Sequence, residues 1–144
     1  MFMGEYSHTI DAKGRVILPA DFRAELGVSF IITKGLDRCL FLYAQTEWEA
    51  LAAKLRQPLV RPEAWALARF FFASARTLEC DKQGRFLVPA NLRSYAGITL
   101  RQNVVLTGTD SRIEVWSKEQ WRSYSDEVEP DVAAIAATLT DIGI

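Results

Sequence analysis

The sequence has one histidine (His8), two cysteines (Cys39 and Cys80), and no apolar run long enough to cross a bilayer. A zinc site is unsupported because His8 is the only histidine, and the two cysteines lie far apart and form no Cys-x-x-Cys pair. They are predicted to be reduced thiols of a cytosolic protein. The first residues lack a basic stretch followed by an apolar one, so no secretory signal is expected. We therefore expect a globular chain that works without a metal, a cofactor or a membrane.

Neither sign of charge is in excess, since the formal net charge is −1. A nucleic-acid partner usually calls for a basic protein. The charge is unevenly distributed, however: residues 119–144 hold one basic and six acidic side chains, which leaves +4 on the rest of the chain. The body therefore carries enough positive charge for a local anion-binding face, and the tail is acidic.

What the sequence does contain is an internal repeat. Residues 11–23, DAKGRVILPADFR, return 70 positions later as residues 81–93, DKQGRFLVPANLR. Seven of the seventeen positions from 11–27 to 81–97 are identical, which is too many for two unrelated hairpins. The identical pairs are Asp11 and Asp81, Gly14 and Gly84, Arg15 and Arg85, Pro19 and Pro89, Ala20 and Ala90, Arg23 and Arg93, and Gly27 and Gly97.

Each copy is predicted to contain the same elements. An Asp–Gly turn joins two strands, and a proline then starts a short helix that a glycine ends. Two further strands lead to a capping box, which begins a longer helix that must stop by Pro58 in the first copy. The second copy slips by three residues near 99–101. The predicted strands cover 5–10, 15–18, 28–33 and 39–43 in the first copy and 76–80 and 85–88 in the second; the capping boxes are Thr46–Glu49 and Ser117–Gln120.

Two segments lie outside the repeat. Residues 62–73, PEAWALARFFFA, form a helix candidate with apolar side chains on nearly every face, so we expect it to be covered all round. Residues 130–144 form either a last amphipathic helix or a partly ordered tail. The tryptophans Trp48, Trp65 and Trp121 either pack within the chain or join this helix and the tail in contacts between subunits.

One copy alone is too small to bury its apolar faces. We therefore predict one pseudo-two-fold unit, mainly β with peripheral helices (α+β), in which two half-repeats interleave their strands into a closed barrel. The apolar triplets 16–18 and 86–88 are expected to close this shared barrel. The predicted divisions are a first repeat over 5–57, a connecting apolar helix over 58–75, a second repeat over 76–128 and an acidic, apolar C-terminal tail over 129–144.

The repeated string resembles the loop-hinge segment of swapped-hairpin AbrB-type DNA-binding domains. Two such segments about 70 residues apart, each followed by a capped helix that contains tryptophan, resemble the MraZ family of transcriptional regulators over essentially the whole chain. The resemblance implies a swapped-hairpin barrel in a cytoplasmic, nucleoid-associated bacterial regulator. It further implies a ring-shaped homo-oligomer that binds repeated DNA boxes upstream of its own cell-division and cell-wall gene cluster.

The same resemblance assigns DNA binding to the Asp-x-x-x-Arg segments. Arginine suits this role because its planar fork meets a phosphate, or the O6 and N7 atoms of guanine, in a bidentate way. Each aspartate either fixes the turn or orients the arginine, and a purely local ion pair that holds the bend is the alternative. The predicted DNA-binding residues are Asp11, Lys13, Arg15, Arg23, Asp81, Lys82, Arg85 and Arg93.

Within this set, the two helix arginines, Arg23 and Arg93, either contact phosphate, lie on a solvated helix face or form an internal salt bridge. The two loops are not chemically identical, because Gln83 stands where the first copy has Lys13, and Lys82 comes one position earlier. We expect the first loop to bind phosphate more strongly and Gln83 to read an adenine edge.

Two other classes of function, an enzyme and a protein-interaction module, fit the sequence less well. An enzyme would need a nucleophile–base motif, a metal-ligand spacing or a Gly-rich phosphate loop; the sequence offers none, so no catalytic residue is predicted. A protein-interaction (adaptor) barrel would not need arginines at its loop tips. The expected partners are double-stranded DNA with tandem boxes and further copies of this chain, with no cofactor, metal or small-molecule substrate.

Overall fold

The computed structural model describes residues 1–57 and 60–144. The first copy of the repeat is built from strands and helices in the predicted order, with a short 3₁₀ turn at Leu36–Arg38. Its elements are β1 Glu5–Thr9, β2 Arg15–Ile17, α1 Ala20–Leu26, β3 Ser29–Lys34, β4 Leu40–Ala44 and α2 Gln45–Arg56. The predicted stop of α2 at Pro58 lies outside the described residues.

The second copy follows helix α3 and repeats the order. Its elements are α3 Pro62–Ser74, β5 Arg76–Glu79, β6 Arg85–Leu87, α4 Ala90–Ala96, β7 Asn103–Gly108, β8 Ile113–Ser117, α5 Lys118–Val128 and α6 Val132–Thr138. Pro19 and Pro89 stand at the N-cap positions just before α1 and α4, rather than inside the first turn. Gly27 and Gly97 follow those helices with φ of +85° and +65°, which favours glycine.

Strands of the two copies interleave in one sheet. Six strands form an antiparallel sheet in the order β1-β7-β8-β4-β3-β5, so that β7 and β8 of the second copy lie between β1 and β4 of the first. The remaining strands, β2 and β6, leave this sheet and pair with each other as a two-stranded antiparallel ribbon. The protein is therefore α+β, as predicted.

The predicted closed barrel is wrong. In the described ranges no ladder joins the edge strands β1 and β5, so the six-stranded sheet stays open. The reason is that each turn after β1 and β5 redirects the chain, and β2 and β6 then satisfy their backbone groups in the ribbon instead of closing the sheet. The core is completed by packing the ribbon on the sheet, and Val16 and Phe86 are fully buried there.

Side chains of the sheet alternate between two apolar layers, as the period of two in a strand requires. In β3, for example, Ile32 belongs to the layer that contains the ribbon, α1 and α4, whereas Ile31 belongs to the layer that contains Phe71 of α3. The sheet is thus covered on one face by the ribbon and short helices and on the other by longer helices.

The two predicted capping boxes have different outcomes. At the second, the Ser117 hydroxyl accepts a hydrogen bond from the Gln120 backbone N–H at 3.1 Å, as predicted for the cap. At the first, the prediction is wrong: α2 begins at Gln45, with Ala44 at the N-cap and no side-chain cap. Because the helix starts directly after β4, Thr46 lies within the first turn rather than before it.

Helix α3 is covered on one side only. Its residues Ala68 and Phe71 are buried, whereas Trp65 and Leu67 are 46 % and 44 % exposed. The predicted all-round cover is therefore not provided within this chain. Trp48 and Trp121, by contrast, pack partly against the second apolar layer.

The C-terminal segment forms helix α6, which agrees with the amphipathic alternative, although its apolar residues are exposed in this chain. Both cysteines, Cys39 and Cys80, are free thiols. No helix within residues 1–57 and 60–144 is both long enough and apolar enough to span a membrane.

Candidate nucleic-acid interface

The first turn is held by its aspartate. One carboxylate oxygen of Asp11, Oδ1, accepts hydrogen bonds from the backbone N–H groups of Lys13 at 2.9 Å and Arg15 at 2.8 Å. The other oxygen, Oδ2, accepts from the Arg15 Nε–H at 2.7 Å. Gly14 completes the bend with a φ of +86°, a conformation that other residues adopt only with strain. Asp11 therefore both fixes the turn and orients the arginine.

The second turn repeats this geometry. Asp81 Oδ1 accepts from the backbone N–H groups of Gln83 at 2.9 Å and Arg85 at 3.0 Å, and Oδ2 accepts from the Arg85 Nε–H at 2.8 Å. Gly84 has a φ of +76°. The same four-residue spacing thus produces the same side-chain clamp twice.

These hydrogen bonds stabilise the charged form of both carboxyl groups. The backbone N–H of Arg15, followed by the Arg15 side chain, the Lys13 N–H and the guanidinium charge, lowers the pKa of Asp11 to about 2. The backbone N–H of Arg85 heads the corresponding causes that lower the pKa of Asp81. Both aspartates are therefore anionic, and both arginines oriented, across the physiological pH range.

The β2–β6 ribbon brings the two turns onto one surface. In its register Val16 lies opposite Phe86, so the pseudo-two-fold axis passes through this pair. The ribbon is extended by two reciprocal backbone bonds, from Leu18 N–H to the Gly84 carbonyl at 2.9 Å and from Val88 N–H to the Gly14 carbonyl at 2.8 Å. Each turn is therefore fastened to the other copy.

The two clamps also meet directly. Arg85 Nη1 lies 4.0 Å from Asp11 Oδ2, an ion pair that crosses from one copy to the other. Arg15 and Arg85 are about one-third and one-quarter exposed. The sequence-predicted residues Asp11, Arg15, Asp81 and Arg85 are thus brought together as one partly exposed cluster.

The two helix arginines occupy a different position. Arg23 Nη1 donates to the Leu18 carbonyl at 3.2 Å, and Arg93 Nη1 donates to the Val88 carbonyl at 2.7 Å. Each guanidinium also fills the space beside the turn glycine of the opposite copy. A Cβ placed on Gly84 would overlap Arg23, and one placed on Gly14 would come within 2.5 Å of Arg93 Nη1.

Arg23 and Arg93 lie neither on a fully solvated helix face nor, among the described residues, in a salt bridge. Their contact with phosphate stays a prediction. They are partly buried and bond backbone carbonyls at the junction between the copies. The glycines have two reasons to be glycine: the positive φ and the room that an arginine needs. The repeat in the sequence could not reveal the second reason, because the contacts join residues 61 and 79 positions apart.

The turn lysines, Lys13 and Lys82, are exposed at the loop tips, as is Gln83. With Arg15 and Arg85 they give four cationic groups against two turn carboxylates, so segments 11–18 and 81–88 together carry a net charge of +2. The structure contains no group of potential metal-ligating side chains in the ranges 1–57 and 60–144.

Sequence reasoning missed Ile17 and Leu87. Their triplets were expected to lie wholly inside the barrel, but only the first and third residues of each triplet are buried. Ile17 and Leu87 are 45 % and 50 % exposed, on the same outer face of the ribbon as the two clamped arginines. Strict alternation of buried and exposed residues along a half-buried strand is the signal that could have predicted this exposure.

An internally duplicated α+β chain, whose two Asp–Gly–Arg turns meet across a shared ribbon, defines a class of tandem-repeat proteins. The family described as "MraZ protein, putative antitoxin-like" matches residues 1–70 and again residues 71–142. Proteins named "Transcriptional regulator MraZ" are 54 % identical in Desulfitobacterium hafniense (strain DSM 10664 / DCB-2), 52 % in Thermoanaerobacter sp. (strain X514) and 50 % in Moorella thermoacetica, each over the full length of both chains. The chain belongs to the MraZ family of transcriptional regulators.

Proposed function

We propose that this chain is a sequence-specific DNA-binding regulator of the cell-division and cell-wall gene cluster that contains its own gene. It binds tandem promoter repeats as a ring-shaped homo-oligomer. The observation that carries the proposal is the pair of aspartate-clamped arginines, Arg15 and Arg85, on one face of the ribbon. The family membership of the chain supports the regulatory part.

The clamp suits DNA recognition because the aspartate orients the arginine through its Nε–H and does not take up its two Nη groups. The Nε–H of Arg15 is the group bonded to Asp11, so the two Nη groups carry the remaining donors. Those donors match a phosphate, or the O6 and N7 edge of guanine. Lys13 and Lys82 at the loop tips add positive charge for the flanking phosphates, and Arg23 and Arg93 act behind them by holding the turns.

A single chain with so few cationic groups at its ribbon binds DNA weakly. A ring compensates because it presents several such ribbons to the same DNA. Once one unit engages its box, the next box is held at high effective concentration, and avidity exceeds single-site affinity by roughly 10² to 10⁴. Two apolar side chains of α3, Trp65 and Leu67, are exposed and are candidates for contacts between subunits. The proposed binding is therefore cooperative in box number and strongly salt-dependent.

The proposed organisation follows the repeat: a first repeat over 5–57, the linking helix over 58–75, a second repeat over 76–128 and the tail over 129–144. The exchange of β2 and β6 between the copies supports a swapped-hairpin unit of the AbrB type. A cytoplasmic, nucleoid-associated location accompanies this function.

The proposal is tested by titrating the full-length protein onto DNA from upstream of its own gene, cut to carry one, two or several repeats. Particle mass is measured alongside. We expect affinity to rise steeply with repeat number while the mass of the free protein corresponds to a closed oligomer. Equal affinity for DNA with one repeat and for DNA with several repeats would contradict binding by a ring-shaped oligomer. Equal affinity for the promoter and for unrelated DNA would remove sequence recognition and favour an adaptor function.

A further inference from the structure

The outer face of the ribbon carries an alternating pattern of charge and hydrophobicity. Arg15 lies opposite Leu87, and Ile17 lies opposite Arg85. The two arginines therefore occupy one diagonal of a four-residue patch, and the two aliphatic side chains occupy the other. Ile17 and Leu87 are 45 % and 50 % exposed.

The exposure of these two aliphatic residues is duplicated, which sets them apart from other exposed apolar residues. Val28, for example, is 81 % exposed, but its counterpart in the second copy, Ile98, is 6 % exposed. A single exposed aliphatic residue needs no explanation. At the ribbon, both copies place a large aliphatic side chain in solvent at the same position, between two clamped arginines.

We propose that Ile17 and Leu87 contact the C5-methyl groups of thymines in the major groove of the bound DNA. The inference rests on the proposed DNA-binding function and assigns the base-reading residues of that site. The surrounding cations, Lys13, Arg15, Lys82 and Arg85, complement the phosphates on either side of the groove. Apolar contact with the thymine methyl group is the readout that an aliphatic side chain performs there.

The dimensions of the patch agree with this role. The major groove admits a two-stranded β-ribbon. Diagonal neighbours on one face of an antiparallel pair are about 7–8 Å apart, and successive base pairs are spaced about 3.4 Å along the helix axis. Ile17 and Leu87 therefore reach bases about two steps apart, and the arginines on the other diagonal reach the bases or phosphates beside them.

The test replaces thymine by deoxyuridine, which removes only the methyl group, one position at a time across a promoter fragment carrying several repeats. We expect the wild-type protein to bind about fourfold more weakly for each contacted thymine that is replaced, the equivalent of one buried methylene-sized group. The effects should fall at positions about two base pairs apart within each repeat. The double variant Ile17→Ala/Leu87→Ala should bind the thymine and deoxyuridine fragments equally.

Val28→Ala is the matched control, because it truncates an exposed aliphatic residue that lies outside β2 and β6. It should retain the full difference between thymine and deoxyuridine. Circular dichroism and particle mass of the double variant should equal those of the wild type, since both side chains are outside the core.

Three outcomes would overturn the inference: deoxyuridine without effect on the wild-type protein, an unchanged deoxyuridine effect in the double variant, or a fall in particle mass that assigns the pair to a contact between subunits. Each of these leaves promoter binding by the wild-type protein intact. Failure of the proposed function itself is distinguishable, because the wild-type protein would then not prefer the promoter fragment over unrelated DNA.

Discussion

Replacing Gly84 with alanine should release the second turn from the arginine of the first copy. The new Cβ would occupy the position of the Arg23 guanidinium and force it away from the Leu18 carbonyl, to which it donates at 3.2 Å. The lost hydrogen bond from a charged group costs about 1.5–3 kcal/mol. The positive φ of +76° adds about 1–2 kcal/mol for a residue with a Cβ. We expect Gly84→Ala to lower the free energy of unfolding by about 2.5–5 kcal/mol.

Gly97→Ala is the control for the backbone part. Gly97 also has a positive φ, +65°, but a Cβ there would meet nothing within 4 Å. It should cost only about 1–2 kcal/mol. The difference between the two variants isolates the displacement of Arg23.

The assay is urea unfolding followed by circular dichroism at one fixed protein concentration, because oligomerisation makes stability depend on concentration. A double-mutant cycle with Arg23→Ala completes the experiment. Once the guanidinium is absent, Gly84→Ala should lower the free energy of unfolding by no more than Gly97→Ala does. The coupling free energy between positions 23 and 84 should therefore be about 1.5–3 kcal/mol. Additive effects of Gly84→Ala and Arg23→Ala would refute the reasoning that the arginine of one copy holds the turn of the other.

Three further predictions address the cap, the carboxylate and the helix surface. Ser117→Ala should cost about 1 kcal/mol in urea unfolding because it removes the cap of α5, whereas Thr46→Ala should stay within about 0.5 kcal/mol; equal costs would contradict the assigned helix starts. The pKa of Asp11, about 2 in the folded chain, lies below the ordinary 3.8, so its stabilisation is complete above about pH 4 and is lost between about pH 4 and 2. Carbon-13 NMR of the Asp11 carboxyl group should show a titration midpoint near pH 2. A midpoint near the ordinary pKa of 3.8 would mean that the backbone N–H groups of the turn do not stabilise the carboxylate. Trp65→Ala with Leu67→Ala should weaken each subunit contact by about 2 kcal/mol or more and lower the particle mass; an unchanged mass would remove these two residues of α3 from the interface.

The local structure of each turn could be predicted from the sequence because it depends on neighbours. Asp11, Gly14 and Arg15 lie within five positions, and the chemistry of a side chain that accepts from its own downstream backbone limits the bend to few shapes. The same holds for the proline before α1 and the glycine after it. Duplication of the string then predicted that the copies act together.

What could not be predicted depends on contacts between distant positions. The string does not specify that β2 pairs with β6 while the main sheet stays open, because both arrangements satisfy the backbone and bury Val16 and Phe86. Nor does it reveal that Arg23 packs beside Gly84. The exposure of Ile17 follows from strand alternation, but only after the ribbon is known to have a solvent face.

The most direct test of DNA recognition by the ribbon compares two double variants that remove the same charge. Arg15→Ala/Arg85→Ala truncates both clamped arginines, and Arg56→Ala/Arg122→Ala truncates two exposed arginines on α2 and α5. Affinity for the promoter array is measured at fixed salt, with particle mass and circular dichroism as checks on assembly and folding. We expect the first variant to lose at least about thirtyfold in affinity, from two bidentate contacts of about 1–3 kcal/mol each, with its mass unchanged. The second should bind within about threefold of the wild type, as loss of two distant charges at physiological salt permits. Equal affinities of the two variants would contradict the assignment of the ribbon as the DNA-binding surface.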